Sequence, residues 1–256
     1  MTHRNLSFLV MGTLINIGHI KHFFVKWFHS WKELLHDRKF CISLGIGLAV
    51  LFVADVANYF VALYLNSIPV VSVGDIILDN IPTVDLTFMY TTGIYLVVIL
   101  VAVYPIFFKP ELFPFTIKTV AAFILIRSIF ITLTHMGAPA GYFYLPQLDD
   151  QPGLFRFFYM NDLFFSGHTG FPFLAALLFW ECKPLRYFLL AMSVAQATTV
   201  LFMHVHYSID VFSAYFITYT IYVLSDKIFN NLNLSFRKIV QRIEERMEKM
   251  LMMRKL

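Results

Sequence analysis

The sequence predicts an all-α, polytopic membrane protein, and three observations lead to that fold class. Of its 256 residues, 59% are apolar and only 14% are charged, which is unlike the composition of a soluble domain. Six apolar segments approach or exceed the roughly 20 residues that a helix needs to cross a bilayer. The basic residues are concentrated in alternate connections between those segments, as in multi-pass proteins.

The six predicted transmembrane helices are joined by short connections, so that one membrane domain accounts for most of the chain. They cover Phe40–Leu65, Leu86–Phe108, Thr116–His135, Leu163–Trp180, Arg186–Met203 and His206–Leu224. We expect residues 40–224 to form the membrane domain. An amino-terminal segment, residues 1–39, precedes it, and a basic tail, residues 225–256, follows it.

The distribution of Lys and Arg predicts the orientation of the chain. Eighteen of these residues lie in the amino-terminal segment, in the tail and in two connections on the same side, Lys109–Lys118 and Glu181–Arg186. The two connections on the other side, Asn66–Asp85 and Met136–Asp162, hold one. By the positive-inside rule, both termini are expected in the cytoplasm. Because these charges flank membrane spans, anionic lipid is the expected partner and nucleic acid is not.

Both flanks have an amphipathic pattern. In the amino-terminal segment, Trp27 and Trp31 belong to an apolar stripe with helical spacing, and the lysines lie off that stripe. In the tail, Ile239, Ile243 and Met247 form a second stripe between charges. We expect helices in the membrane interface at both ends, and for the tail a partner helix is the alternative.

Ionisable residues within the predicted spans indicate a functional site, because placing them in a membrane is costly. At 1.5 Å per residue, Arg127, His168 and Asp210 lie about 6 to 12 Å below the non-cytoplasmic ends of their spans, and His206 opens its span. We therefore predict that these four residues form one site on the non-cytoplasmic face. Asp55 lies deeper, and the sequence leaves two roles equally open for it, a purely structural pairing with Arg127 or a part in function.

The spacing of His206 and Asp210 favours catalysis. Residues four apart share a helix face, so the carboxylate is expected to contact the imidazole, fix its tautomer and raise its basicity. A nucleophilic or general-base histidine needs this support at neutral pH.

The surroundings of the two histidines suit a phosphate. Two helix amino termini point towards the same depth, each with unpaired N–H groups, and Arg127 adds a positive charge. Gly167 permits close approach of the backbone, and Ser166 or Thr169 is expected to donate to phosphate oxygens.

Three alternatives compete with a catalytic site. A single histidine or a Ser-Gly pair is explained by helix packing alone. His204 and His206 share a face only in a strand, so a metal site is not expected. A transporter would place its polar residues at the membrane midplane within broken helices, which this pattern does not favour.

Two segments resemble the sphingomyelin synthase-like branch of the lipid phosphatase/phosphotransferase superfamily, also called the type 2 phosphatidic acid phosphatase superfamily. They are DLFFSGHT (Asp162–Thr169) and HVHYSIDVFSAYFIT (His204–Thr218). The stretch IRSIFITLTHMGAPA is similar to the third span of that branch, with Arg127 at its basic position. The phosphatases usually carry Ser-Arg seven and six residues before the last histidine, whereas this chain has Thr199 and Val200, which favours the synthase-like branch.

The resemblance implies a two-step transfer of a phospho-headgroup from a phospholipid donor to a ceramide-like or other lipid alcohol, without a metal or nucleotide cofactor. By analogy, His206 attacks phosphorus while Asp210 orients it. His168 protonates the departing diacylglycerol and then deprotonates the acceptor. Asp162 is expected to tune His168 or to cap the helix, and Tyr207 to contact substrate. The headgroup stays open among choline, ethanolamine, inositol and glycerol phosphate.

A lipid phosphate phosphatase is the nearest alternative, because it would use the same site with water as the acceptor. The connection Met136–Asp162 bears on that choice. Its prolines and aromatic residues predict either a lid that excludes water or an aromatic belt at the membrane interface.

Overall fold

The structure is a computed structural model that describes residues 3–144 and 162–253, and its α-helical bundle confirms the predicted all-α class. The helices are α1 (His3–His36), α2 (Arg38–Ser67), α3 (Ile94–Phe108), α4 (Phe113–Leu133), α5 (Gly167–Leu178), α6 (Lys183–Phe202) and α7 (Ser208–Met253). Shorter helical turns cover Leu78–Asn80, Met89–Gly93 and Pro110–Leu112. Most of the connection predicted to be a lid or a belt, residues 145–161, lies outside the described residues.

Five segments of the described chain are long and apolar enough to cross a membrane. They are Arg38–Ser67, Met89–Phe108, Pro110–Leu133, Lys183–Phe202 and Ser208–Phe229. These segments overlap the first, second, third, fifth and sixth predicted spans. Their number and hydropathy support a multi-pass membrane protein.

The fourth predicted span, Leu163–Trp180, does not form a helix of membrane-spanning length. Helix α5 has 12 residues and is therefore about 18 Å long. It begins at Gly167 because Ser166 caps it, with the Ser166 Oγ accepting the Thr169 N–H at 3.3 Å. Ten of its 12 residues are buried, so α5 lies inside the bundle and neighbouring helices surround it. The prediction of six spanning helices is thus not confirmed.

The sixth predicted span and the tail belong to one helix. Helix α7 begins at Ser208 instead of His206 and continues through 46 residues to Met253, about 69 Å. No break in the helix marks the expected boundary at residue 225. The sequence changes there from a lipid-like to an amphipathic composition, and a helix tolerates both.

Helix α1 and the last part of α7 pack together at the end of the bundle opposite the histidines. The buried residues of this contact are Leu34, Phe236 and Val240, and Phe40 of α2 packs with them. At its edge the Lys26 Nζ lies 2.6 Å from a carboxylate oxygen of Glu244. The tail therefore has a partner helix within its own chain, which was one of the two predictions for it.

The apolar stripe of α1 divides between two surroundings. The indole N–H groups of Trp27 and Trp31 donate to the Ile106 carbonyl oxygen at 2.8 and 2.9 Å, so this side docks on the end of α3. On the other side, Phe24 and Phe28 are exposed. That exposed side is the one that an interfacial helix would turn to lipid, and the interfacial position of α1 stays a prediction.

Lys118, which the sequence places in a connection between spans, lies inside the bundle. It belongs to α4, is buried, and donates from Nζ to the Ser43 Oγ at 2.8 Å. Its ammonium group also lies 3.9 Å from the centre of the Phe229 ring. A hydroxyl and an aromatic face thus replace water around this charge.

Helices α4, α5 and α7 meet so closely at Gly170 that this position has no room for a side chain. A Cβ there would lie 2.7 Å from the Thr218 Oγ1 and 3.1 Å from the Phe123 ring. We expect Gly170→Ala to reduce the free energy of unfolding by about 1–3 kcal/mol, because overpacking forces the helices apart. Thermal unfolding in detergent measures this.

Gly45→Ala is the matched control for Gly170→Ala. Gly45 is an exposed residue of α2, and beyond its chain neighbours and the backbone of its own helix a Cβ there would have no atom within 4 Å. The same substitution should therefore leave the protein as stable as the wild type or slightly more stable. Equal effects at the two positions would contradict close packing at Gly170.

Candidate functional site

Helix α5 places His168 in its first turn, at the end of the bundle where α5 and α7 begin, which we call the histidine end. His168 is 1% exposed. The Ser166 Oγ accepts hydrogen bonds from the N–H of Thr169 and, at 3.2 Å, from its hydroxyl. The Ser166 N–H in turn donates to the Asp210 carbonyl at 3.1 Å, which ties the start of α5 to the first turn of α7.

The turn between α6 and α7 directs His206 into the bundle. It is closed by hydrogen bonds from the His204 N–H to the Leu201 carbonyl and from the Val205 N–H to the Val200 carbonyl, both at 3.0 Å. This is the Schellman arrangement, which places a left-handed residue after the helix. That residue is His204, with φ of 51°, a conformation that usually favours glycine. The His204 Nδ1 lies 2.9 Å from the Ala140 carbonyl oxygen.

His206 lies two residues before α7 and still contacts Asp210. The prediction that both residues belong to one helix is wrong, and a helix cap accounts for the contact instead. The Asp210 Oδ2 accepts the Tyr207 N–H at 2.9 Å, as an acidic side chain in the first turn does in a capping box. The same oxygen lies 3.4 Å from the His206 Nδ1.

The two histidines face each other in the bundle interior. Their ring centres are 6.3 Å apart, and His206 and Asp210 are 4% and 0% exposed. The predicted trio of His168, His206 and Asp210 is therefore brought together. Residues from α5, from the turn before α7 and from α7 itself contribute to it.

Tyr90 is a site residue that sequence reasoning missed. Its ring stacks on His168 with 4.0 Å between centres and 22° between planes. It lies in the π-helical turn Met89–Gly93, and such turns are frequent at functional sites. The Gln196 side-chain amide holds this turn by donating to the Met89 carbonyl at 2.8 Å. Nothing in the local sequence of this apolar span distinguishes Tyr90 from its aromatic neighbours.

Arg127 binds the chain just before α5, which differs from its predicted contact with phosphate. Its Nε donates to the Phe165 carbonyl and its Nη2 to the Asp162 carbonyl, both at 2.7 Å. Its Nη1 lies 2.6 Å from both carboxylate oxygens of Asp162 and donates to Oδ2. Both side chains are about 95% buried, so Asp162 is the charge partner of Arg127.

The remaining predicted substrate ligands divide into two groups. Ser166, Gly167 and Thr169 lie in the opening of α5 next to His168, where the first amides of the helix have no intrahelical acceptor. Tyr207 points elsewhere. Its hydroxyl donates to the Gly137 carbonyl at 2.9 Å and accepts the Val73 N–H at 3.0 Å, so it joins two connections instead of facing the histidines.

Asp75 approaches the start of α7 from the connection after α2. Its Oδ2 accepts the Ser208 N–H at 2.6 Å, and its Oδ1 accepts the N–H groups of Ile77 and Leu78 at 2.9 and 3.2 Å. Burial raises the pKa of the Asp75 carboxyl. The hydrogen bonds from Ser208, Leu78 and Ile77 outweigh that effect and lower the pKa below its ordinary value of 3.8.

We expect Asp75 to make stability depend on pH in the acid range. A carboxyl whose pKa is lower in the folded than in the unfolded protein stabilises the fold above the unfolded pKa, and that contribution is lost as the pH falls through the folded pKa. Wild type should therefore be more stable than Asp75→Asn at neutral pH, and the difference should shrink below about pH 4. Unfolding measured from pH 3 to 7 tests this, and a difference that is constant with pH would contradict it.

Within the described ranges, 3–144 and 162–253, no three His, Cys, Asp or Glu side chains are grouped so as to hold a metal ion. The polar groups at the histidine end instead form hydrogen bonds with one another and with the backbone. The amino terminus of α5, which carries His168, is the kind of helix end that suits an anion.

A comparison with known families gives a match for this part of the chain. Residues 161–227 match the family described as PAP2 superfamily C-terminal. The match supports membership in the type 2 phosphatidic acid phosphatase superfamily. Comparisons with curated proteins and with solved structures gave no significant match.

The match to the PAP2 superfamily covers the residues that the fold brings together. His168, His206 and Asp210 all lie in the matched segment, whereas Arg127 and Tyr90 lie before it. Members of the PAP2 superfamily are phosphatases or phosphotransferases, which supports an enzyme acting on lipid phosphates.

Proposed function

We propose that the chain is a membrane phosphotransferase that moves a phospho-headgroup from a phospholipid to a ceramide-like or other lipid alcohol through a phosphohistidine. The observation that carries the proposal is the pair of buried histidines, His168 and His206, with the Asp210 carboxylate behind one of them. The match to the PAP2 superfamily supports lipid phosphate chemistry at this place.

In the first step, His206 is the nucleophile. Its Nδ1 faces the Asp210 carboxylate, so the ring proton lies on that nitrogen and the lone pair of Nε2 is available to attack phosphorus. The P–N bond forms as the bond from phosphorus to the glycerol oxygen breaks. His168 gives its proton to that oxygen, and diacylglycerol leaves.

The second step restores both histidines. His168, now without its proton, takes the proton of the acceptor hydroxyl, and the acceptor oxygen attacks phosphorus. The P–N bond breaks and its electrons return to Nε2 of His206. The ring centres lie 6.3 Å apart, which is near enough for both imidazoles to act on one phosphoryl group.

Burial of the site supports a lipid acceptor over water. His168 and Asp210 are 1% and 0% exposed, and a closed site protects a phosphohistidine from hydrolysis. The absence of the Ser-Arg pair before His206, where Thr199 and Val200 stand, also favours the transferases. The asymmetry of basic residues supports a site on the non-cytoplasmic face with both termini in the cytoplasm.

The acceptor is tested with purified protein in liposomes that contain phospholipid labelled in its headgroup. Ceramide or diacylglycerol is supplied in parallel reactions, with choline, ethanolamine, inositol and glycerol headgroups. Label that moves to a second lipid is the expected result and identifies the acceptor. Label released into water would make the protein a hydrolase, and no movement of label with any headgroup would leave a transport function as the better explanation.

A further inference from the structure

We propose that Asp75 is a positioning residue that holds the start of α7, and with it His206, in the reactive arrangement. This inference rests on the proposed function, because it assigns Asp75 a role in that same site. Asp75 lies 131 residues before His206 and outside the segment matched to the PAP2 superfamily, so only the fold relates the two.

The residue that precedes α7 provides no capping side chain. Tyr207 occupies the N-cap position, immediately before the helix. At this position the side chain of Ser, Thr, Asp or Asn normally accepts a hydrogen bond from an amide of the first turn. A tyrosine has no short acceptor, and its hydroxyl is instead bound to Gly137 and Val73. The amides at this end must therefore be satisfied from elsewhere, since leaving a buried N–H without a partner costs about 1–3 kcal/mol.

Two carboxylates divide that task. Asp210 accepts the Tyr207 N–H, and Asp75 accepts the Ser208 N–H at 2.6 Å, the shortest hydrogen bond at this end of α7. The Asp210 Oδ2 already accepts the Tyr207 N–H and lies 3.4 Å from the His206 Nδ1, and the Ser208 amide has a different acceptor, Asp75. Asp75 thereby leaves Asp210 in place to orient His206.

Asp75 is itself fixed by the turn that it begins. Its second oxygen accepts the amides of Ile77 and Leu78, and the neighbouring Val73 amide binds the Tyr207 hydroxyl. The connection after α2 thus contacts residues 207 and 208 at two points. A shift of this connection moves the backbone that carries His206, and a displacement of about 1 Å can cost about 100-fold in rate.

A double-mutant cycle with Ser208→Pro tests the inference. Proline suits the first position of a helix and has no N–H to donate, so it removes the contact with Asp75 from the other side. We expect Asp75→Ala and Ser208→Pro each to lower kcat by about 10- to 100-fold with little change in KM. The double variant should be no slower than the slower single variant.

Two control variants separate this contact from general effects. Ser208→Ala keeps the amide and removes the hydroxyl, which also hydrogen-bonds Asp75, so it separates the two contacts and should lower kcat by less than about 3-fold. Asp85→Ala removes another aspartate of the same connection. Within the described residues, the Asp85 side chain accepts hydrogen bonds only from the N–H and the hydroxyl of Thr87. Asp85→Ala should leave kcat unchanged.

A second readout does not depend on catalysis. Hydrogen exchange of the peptide that covers residues 204–212 should accelerate in Asp75→Ala and not in Asp85→Ala, because the Ser208 amide loses its acceptor. If wild type moves no headgroup at all, the proposed function fails, and exchange still shows whether Asp75 holds α7.

Three results would overturn the positioning role. One is faster exchange in Asp75→Ala with kcat unchanged, which would leave Asp75 a purely structural cap. Another is losses in the cycle that add fully, because the two residues would then act separately. If Asp75→Ala does not fold, Asp75→Asn, which keeps one acceptor oxygen, is measured in its place. The third contradicting result is then wild-type kcat and KM in Asp75→Asn together with an unchanged kcat in Ser208→Pro.

Discussion

Replacing His206 with alanine is expected to abolish headgroup transfer and hydrolysis alike, with a loss in kcat of at least about 10³-fold. Both reactions pass through the same P–N bond, so neither acceptor restores activity. The variant should also lose some stability, because the His206 ring is 4% exposed and its Nδ1 lies 3.4 Å from the buried Asp210 carboxylate, so its melting temperature is measured alongside. Labelled phospholipid in liposomes measures both reactions at once.

His168→Ala should cost about 10²- to 10⁴-fold, because an acid and base catalyst is removed while the nucleophile stays. The double variant should be no slower than His206→Ala alone, since the two residues act on one bond. In wild type, label on the protein should be labile in acid and stable in base, as expected of a phosphohistidine. Label of this kind in His206→Ala would contradict the assignment.

His135→Ala is the matched control for both histidines. His135 lies just after α4 at the histidine end, is exposed, and contacts the Tyr64 hydroxyl and the Thr132 carbonyl. It should retain wild-type activity. Loss of activity in this variant would show that the assay responds to any change at the histidine end of the bundle.

Arg127→Ala is expected to be the most destabilising single substitution at the site, by about 3–5 kcal/mol. It removes the charge partner of Asp162, a carboxylate that is 5% exposed, together with two hydrogen bonds to backbone carbonyls. Arg127→Lys should recover only part of this, because an ammonium group does not reproduce the planar fork of the guanidinium. The melting temperature in detergent reports both effects.

A paired substitution distinguishes a structural role of Arg127 from phosphate binding. Arg127→Met combined with Asp162→Leu removes both charges, and should be more stable than either single variant. Arg237→Ala is the control, because its ion pair with Glu181 is exposed and contributes about 0–1 kcal/mol. If Arg127→Ala instead melts like wild type and raises KM for the phospholipid, Arg127 binds phosphate as the sequence predicted.

The sequence alone is sufficient to predict the helical membrane class and the trio of His168, His206 and Asp210. Long apolar segments have no other stable form in lipid, where every backbone amide needs an internal partner. Polar residues in such segments stand out against a background of Leu, Phe and Val. The same contrast gives no information about Tyr90, whose stacking on His168 depends on the packing of a separate helix.

The tertiary structure determined which helix is enclosed by the others and which groups bind the buried charges. Apolar composition alone does not show that α5 is enclosed by other helices, so a 12-residue interior helix was predicted as a full span. A sequence also gives no partner for a charge whose partner is distant in the chain: Arg127 is bound to Asp162, and Asp75 to the Ser208 amide. The residue types at the histidine end follow from the sequence. Their hydrogen-bond partners follow from the fold, because a buried charge binds whichever group the packing brings within reach.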